Sequence, residues 1–288
     1  MPITTRASLL KTRHITHLLT LCAFVFLLMK EAQPAEAHYI NFAELSKAQQ
    51  ATVNTWVNHA IHATEHALGQ LKQSHIIIEL NPKYFTLESV PWASVIRGDQ
   101  DGVELHFNRY ASAATLIQDW TLYHELAHLY HPLFNYKDFW VSEGLATYLQ
   151  NVIMFNAGLI SRAEFTHRLW SGLQRGKLQT RSINNKLYAV TENMWSLKAQ
   201  QRVYWTGAAF FIEAEIALNS QRSPRYTVSE LLKQYQKCCR SQNMQAKAFM
   251  SELDKISQTA IFSNLYQKYK ARTDFPTITK EQISQLHF

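Results

Sequence analysis

The sequence predicts an α+β fold, a small twisted β-sheet followed by a mostly helical lobe, and three observations predict it. Between His75 and Asn108 the chain carries three short runs that are β-branched or alternate apolar with polar residues. From Tyr110 almost to the C-terminus, apolar residues recur at helical spacing instead. The composition, 47% hydrophobic and 18% charged, belongs to a chain that folds around a core.

Each element follows from its own pattern. Residues 42–72 read as a helix, because Leu45, Val53, Val57, Ile61 and Leu68 recur at near-helical spacing. Residues 75–80 form a short strand closed by Asn81-Pro82. Residues 90–98 and 102–108 read as two strands joined at Asp99-Gln100-Asp101-Gly102, a hairpin turn. In the second of these, Val103, Leu105 and Phe107 share one face, and Glu104, His106 and Asn108 share the other. Helices are expected over 111–131, 138–156, 161–174, 203–219, 227–240 and 257–271. Thr227 with Glu230 has capping-box spacing at the start of one of them. The polar, aperiodic stretch 176–200 is expected to be a long loop. No repeat and no long Gly/Ser- or Pro-rich linker divides the chain.

The first 37 residues read as a signal peptide. Arg6, Lys11 and Arg13 make a positive start, 18–29 is an apolar run, and Ala35-Glu36-Ala37 supplies a small–x–small cleavage pattern. An uncleaved membrane anchor is the alternative, although the run is short against the roughly 20 residues that span a bilayer. Lipidation of Cys22 is disfavoured by Leu21 before it. Export to a periplasmic or secreted compartment is the expectation, with residues 38–288 as one domain. Its first part, 38–110, holds a helix and the small sheet; its second, 111–288, is helical. Without the leader, 25 basic residues stand against 20 acidic ones, a formal charge of +5 instead of +7. No basic cluster is interleaved with aromatics, so nucleic acid is not an expected partner. Cys238 and Cys239 are adjacent, a spacing expected to leave them unpaired and unsuited to zinc.

The chemistry concentrates in His124-Glu125-Leu126-Ala127-His128, the pattern H-E-x-x-H. Residues four apart share a helix face, so both imidazoles can reach one Zn²⁺ ion, and Glu125 stands beside them to take a proton from water. Chance yields the pattern in roughly three of a hundred chains of such composition, so it needs support. The support is Phe139-Trp140-Val141-Ser142-Glu143-Gly144-Leu145-Ala146-Thr147-Tyr148. A turn near 132–137 would bring its Glu143 to the metal as a third ligand, leaving a coordination position open. The apolar surroundings of Glu143 argue for this, since an unpaired buried carboxylate is costly. A third histidine six residues past the motif is absent: position 134 is Phe. His131 is expected outside the ligand set, behind a ligand or at the surface.

Together H-E-L-A-H and W-V-S-E-G-L-A-T-Y resemble the gluzincin peptidases, especially the aminopeptidase N-like and glycyl aminopeptidase-like families. Val203-Tyr204-Trp205-Thr206-Gly207-Ala208 is similar to their V-Y-x-K-G-A helix start, with Thr206 where lysine is common. The resemblance covers roughly residues 75–270. It implies a thermolysin-like catalytic domain, a zinc ion on His124, His128 and Glu143, Glu125 as general base and then acid, and Tyr204 as donor to the tetrahedral intermediate. Gly102-Val103-Glu104-Leu105-His106 is the nearest counterpart of the families' glutamate-bearing strand. Glu104 is thus a candidate for holding a substrate amine, or else an exposed strand glutamate. The implied function is zinc-dependent hydrolysis of a peptide or protein substrate, with an edge strand able to bind it in extended form. Three other readings stay open: an endopeptidase acting on proteins or cell-wall peptides, a zinc-bearing binding module without turnover, and a membrane-tethered protein whose N-terminus is retained.

Overall fold

The computed structural model describes residues 34–221 and 226–288 of the 288-residue chain. The expected leader, 1–37, lies outside the described residues except for Pro34 to Ala37. Residues Pro34–Phe288 form one compact unit. Among the described residues no helix is long and apolar enough to cross a membrane.

Four strands, β1 (Glu36–Ile40), β2 (His75–Lys83), β3 (Trp92–Ile96) and β4 (Gly102–Asn108), form one mixed sheet in the order β1-β2-β4-β3. β1 and β4 run parallel to β2, and β3 runs antiparallel to β4. The hairpin expected at 99–102 is therefore present. On β4, Val103, Leu105 and Phe107 are buried and the residues between them are not, as alternation requires. β3 is an edge strand, and that places it beside the site.

Helix α1 (Lys47–Leu68) begins three residues past the turn at Phe42–Glu44, where Ser46 and Gln49 form a capping box. Its Trp56 lies against Phe107 of β4, with ring centroids 5.9 Å apart. The helix expected over 111–131 is two helices, α2 (Ala113–Gln118) and α3 (Thr121–His128). The break has a local cause: Asp119 is extended, and its Oδ1 accepts from the Thr121 N–H at 2.8 Å, a local side-chain bond that replaces the helical ladder there. The long helices α4 (Phe139–Asn156), α5 (Arg162–Thr180) and α7 (Gln200–Asn219) make the body of the helical lobe. Part of the expected loop 176–200 is helical, since α5 continues to Thr180 and α6 (Leu187–Glu192) follows. The lobe closes with α8 (Val228–Cys238), α9 (Ala246–Ser257), α10 (Ile261–Lys270) and α11 (Lys280–Ser284). Thr227 and Glu230 form the expected capping box on α8.

Two glycines set how closely α4 and α7 meet. A Cβ on Gly144 would lie 2.2 Å from the Gly207 backbone, and one on Gly207 would lie 2.0 Å from the Trp140 carbonyl oxygen. Only glycine at both positions permits this backbone-to-backbone crossing. Glu143 and Tyr204 sit next to it and are brought together by it. Cys238 and Cys239 are joined as a disulfide, contrary to the expectation that neighbours would not pair.

Candidate metal centre

All eight residues of helix α3 are buried, and Thr121, His124, Glu125 and His128 share one of its faces. His124 and His128 are one turn apart and both almost fully buried, with rings 81° apart in an edge-on arrangement. Glu143 of α4 faces them. Its Oε2 is 3.2 Å from His124 Nε2, and its Oε1 is 3.5 Å from His128 Nε2. Donors on a tetrahedral zinc with bonds of roughly 2.0 Å stand about 3.3 Å apart, so the observed separations suit that ion. The donor set, two imidazoles and one carboxylate, is also one zinc takes in sites that keep a position open.

The outer nitrogens fix which ring atoms face inward. His124 Nδ1 is 2.7 Å from Gln150 Oε1, an acceptor, so Nδ1 carries the proton and Nε2 keeps its lone pair. His131 is fully buried, and its Nδ1 donates to the Pro132 carbonyl at 2.7 Å. Its Nε2 is then free to accept from His128 Nδ1, 3.0 Å away, which leaves His128 Nε2 directed at Glu143. Ser142 Oγ is 3.2 Å from both ring nitrogens of that relay. Burial, with His124 and His131 nearby, holds His128 well below the ordinary histidine range, in the neutral form a ligand needs.

The C-terminal end of α3 is held by two arginines that share one carboxylate. Arg97 donates to the His128 carbonyl at 2.7 Å and to Asp101 at 2.8 Å, and Arg240 donates to the same Asp101 oxygen at 2.9 Å. Guanidinium charge at a helix C-terminus opposes the helix dipole and here also satisfies a free carbonyl.

Glu125 is buried beside the histidines and accepts a hydrogen bond from the Val95 N–H of the edge strand. Burial pushes its carboxyl up to about 7, with His124 opposing and Glu143 adding to the rise. Tyr204, in the first turns of α7, lies beside Glu143 and stacks its ring 6.4 Å from His124. Burial and the neighbouring Glu143 raise its phenol far above the ordinary range, so it stays a donor.

Two cavities meet at this centre and share Trp120, His124 and Tyr204. One, about 670 Å³, runs along β3 and contains Glu125, His128 and Glu143 in its wall. The other, about 560 Å³, opens between α4, α5 and α7. Glu104 lines neither of them. It sits on the β4 face opposite the buried one, where its carboxylate meets His106 Nε2 at 2.7 Å and Asn81 Nδ2 at 3.2 Å. The carboxylates that do reach the β3 cavity, beyond the centre itself, are Glu88 and Asp119. Neither was singled out in the sequence, and no spacing rule would have marked them. Gln150 was equally silent, although it lies seven residues beyond Glu143 and therefore on the same face of α4.

A second Glu/His/His group, Glu36, His38 and His75, lies on the outer surface of β1 and β2. Its two rings are stacked 4.1 Å apart at 27°. Near-parallel rings aim their in-plane lone pairs alongside one another, unlike the crossed pair of α3, so this group is a poorer metal cradle.

The sequence from 127 to 210 matches the family model described as M61 glycyl aminopeptidase. Among solved structures, the fold is similar to an aminopeptidase N family protein from Idiomarina loihiensis, at 14% identity and a TM-score of 0.56, over 86% of this chain and 45% of that one. It is also similar to the M1 zinc metallopeptidase from Deinococcus radiodurans, at 15% identity and a TM-score of 0.52, over 85% and 52%. The chain thus spans about half the length of the structures it matches. No curated protein matches it in sequence. The fold is that of the M1 zinc metallopeptidases, and the resemblance to gluzincin-type zinc peptidases holds in both comparisons.

Proposed function

We propose that this chain is an exported hydrolase that cleaves peptide bonds with a zinc ion held by His124, His128 and Glu143. One observation carries the reading: a buried His/His/Glu centre opens on a cavity whose wall also holds Glu125 and the hydroxyl-bearing Tyr204. When bound, zinc would polarise the scissile carbonyl and make water acidic enough to attack near neutral pH.

The rest is done by the chain. Glu125 accepts the proton of the attacking water and passes it to the departing amine. The Val95 N–H holds that carboxylate at the edge strand, so base and peptide backbone meet at the same strand. Tyr204 keeps its proton and donates to the oxygen that becomes negative. β3 has one unpaired edge, along which an extended peptide can lie as an added strand.

The test is Glu125→Gln in the purified protein. Zinc content, measured by mass spectrometry of bound metal, should stay near one per chain, while peptide hydrolysis falls by roughly 10²–10⁴-fold. Hydrolysis at the wild-type rate in this variant would remove Glu125 from the chemistry. A zinc-replete wild type that cleaves nothing in a broad peptide library would favour the binding-module reading instead.

A further inference from the structure

The two cavities differ in charge. The β3 cavity has acidic side chains in its wall, Glu88 and Asp119 among them, and no lysine or arginine. The helical cavity is basic and rich in amides. Helix α5 presents Glu164, Arg168 and Arg175 to it on one face, with spacings of four and seven residues. Arg168 is neutralised there by Glu164, its Nε 2.7 Å from the carboxylate. Arg175 has no carboxylate partner among the described residues.

What Arg175 does have is an orientation. Its Nε donates to Gln201 Oε1 at 3.0 Å, and its guanidinium lies 5.1 Å from the centre of the Trp205 ring. An amide on one edge and an aromatic face beneath hold the plane of the fork while leaving its terminal N–H groups unused. A planar, pre-set guanidinium is the group that binds a carboxylate through two parallel hydrogen bonds.

Resting on the peptidase reading above, we infer that the helical cavity receives a carboxylate of the substrate and that Arg175 selects it. The carboxylate has two possible sources, an aspartate or glutamate side chain near the scissile bond or the free C-terminus of a short peptide. Both place negative charge on the α5 side of the centre, away from Glu88 and Asp119. The cavity admits either, since it is continuous with the centre through His124 and Tyr204.

The experiment measures both binding and cleavage. Zinc-loaded Glu125→Gln protein is titrated calorimetrically with matched peptides, in which each Glu is exchanged for Gln in one arm and the C-terminal acid for an amide in the other. One of these exchanges should weaken binding by roughly 5–20-fold, the scale of a charge-assisted pair reduced for an exposed arginine. Which arm responds identifies the source. Adding Arg175→Gln should erase the difference, and Arg175→Glu should turn it into a preference for the uncharged or basic peptide. Arg175 is exposed, so these variants do not threaten the core. Equal binding of acid and amide at every position, or a preference that survives Arg175→Gln, overturns the inference. With the wild type, cleavage without acid preference sinks the inference alone. An acid preference in binding without any cleavage sinks the peptidase reading and leaves the carboxylate site standing.

Discussion

The helix pair α4–α7 carries two tyrosine–glutamate pairs, and they serve opposite ends. At the metal centre Tyr204 of α7 meets Glu143 of α4. Further along, with the roles exchanged, Tyr148 of α4 donates to Glu215 of α7 at 2.9 Å. Glu215 is fully buried and its oxygens are spoken for: the Val228 N–H at 3.1 Å and Asn219 at 3.3 Å also donate to it. Glu143 instead faces two imidazoles and a cavity. One residue pairing, in one kind of helix crossing, is a cross-link where three protein donors hold the carboxyl and a metal cradle where its oxygens are left for an ion. The difference lies in what surrounds the carboxylate and not in the carboxylate itself.

Substitution of the two glutamates breaks the comparison most sharply. Glu143→Ala should weaken zinc binding by well over the roughly 100-fold that loss of an outer-shell partner causes, and hydrolysis should vanish with it. Metal-free Glu143→Ala should melt no lower than metal-free wild type, since a buried charge has been removed. Glu215→Ala should do the reverse, keeping zinc and losing thermal stability. Unchanged zinc affinity in Glu143→Ala would dissolve the proposed ligand set. The tyrosines come next. Tyr204→Phe should lower kcat by roughly 10²–10³ with little change in KM, on the scale of other oxyanion donors. Tyr148→Phe should leave kcat alone and cost about 1–2 kcal/mol of stability, one buried hydrogen bond. If both phenylalanine variants behaved alike, the two ends of the pair would have to be doing the same work.

Most of this centre was legible because its signals are local or repeated. Four-residue spacing placed His124 and His128 on one face, and the apolar surroundings of Glu143 singled it out as their partner; the close helix crossing at Gly144 beside it came only from the structure. Gly207, three residues past Tyr204, is the matching half of that crossing. What stayed hidden depends on distant partners. Asp119 looked like one polar residue in a long helix, and only its bond to Thr121 shows the break. His131 carried no sign that Pro132 would orient it behind His128. β1 was missed because it is an edge strand in which no residue is buried, so it leaves almost no alternating apolar pattern. Helix α9 was legible and overlooked: Ala246, Phe249, Met250 and Leu253 follow helical spacing and are all buried. Glu104 stands on the face its alternation predicts, and its carboxylate meets His106 and Asn81 there instead of lining either cavity.

The smallest expected effect concerns pH. Burial pushes Glu215 up to about 8, although the bonds from Val228, Tyr148 and Asn219 pull the other way. Its unfolded value is the ordinary 4.5. Below that value both states are protonated and the group imposes no pH-dependent cost. As pH rises from 4.5 toward 8 the unfolded chain ionises first, so the native state loses stability across this window, and the loss levels off above it. Glu215→Gln cannot ionise and should escape the loss. Its melting temperature should therefore match or fall below wild type near pH 5 and exceed it near pH 8.5, the gap widening steadily between the two. The measurement is best made on zinc-free protein, so that metal loss at acid pH does not add its own slope. A gap that stays constant from pH 5 to 8.5 would mean that Glu215 is ionised in the fold. Its three donors would then outweigh its burial.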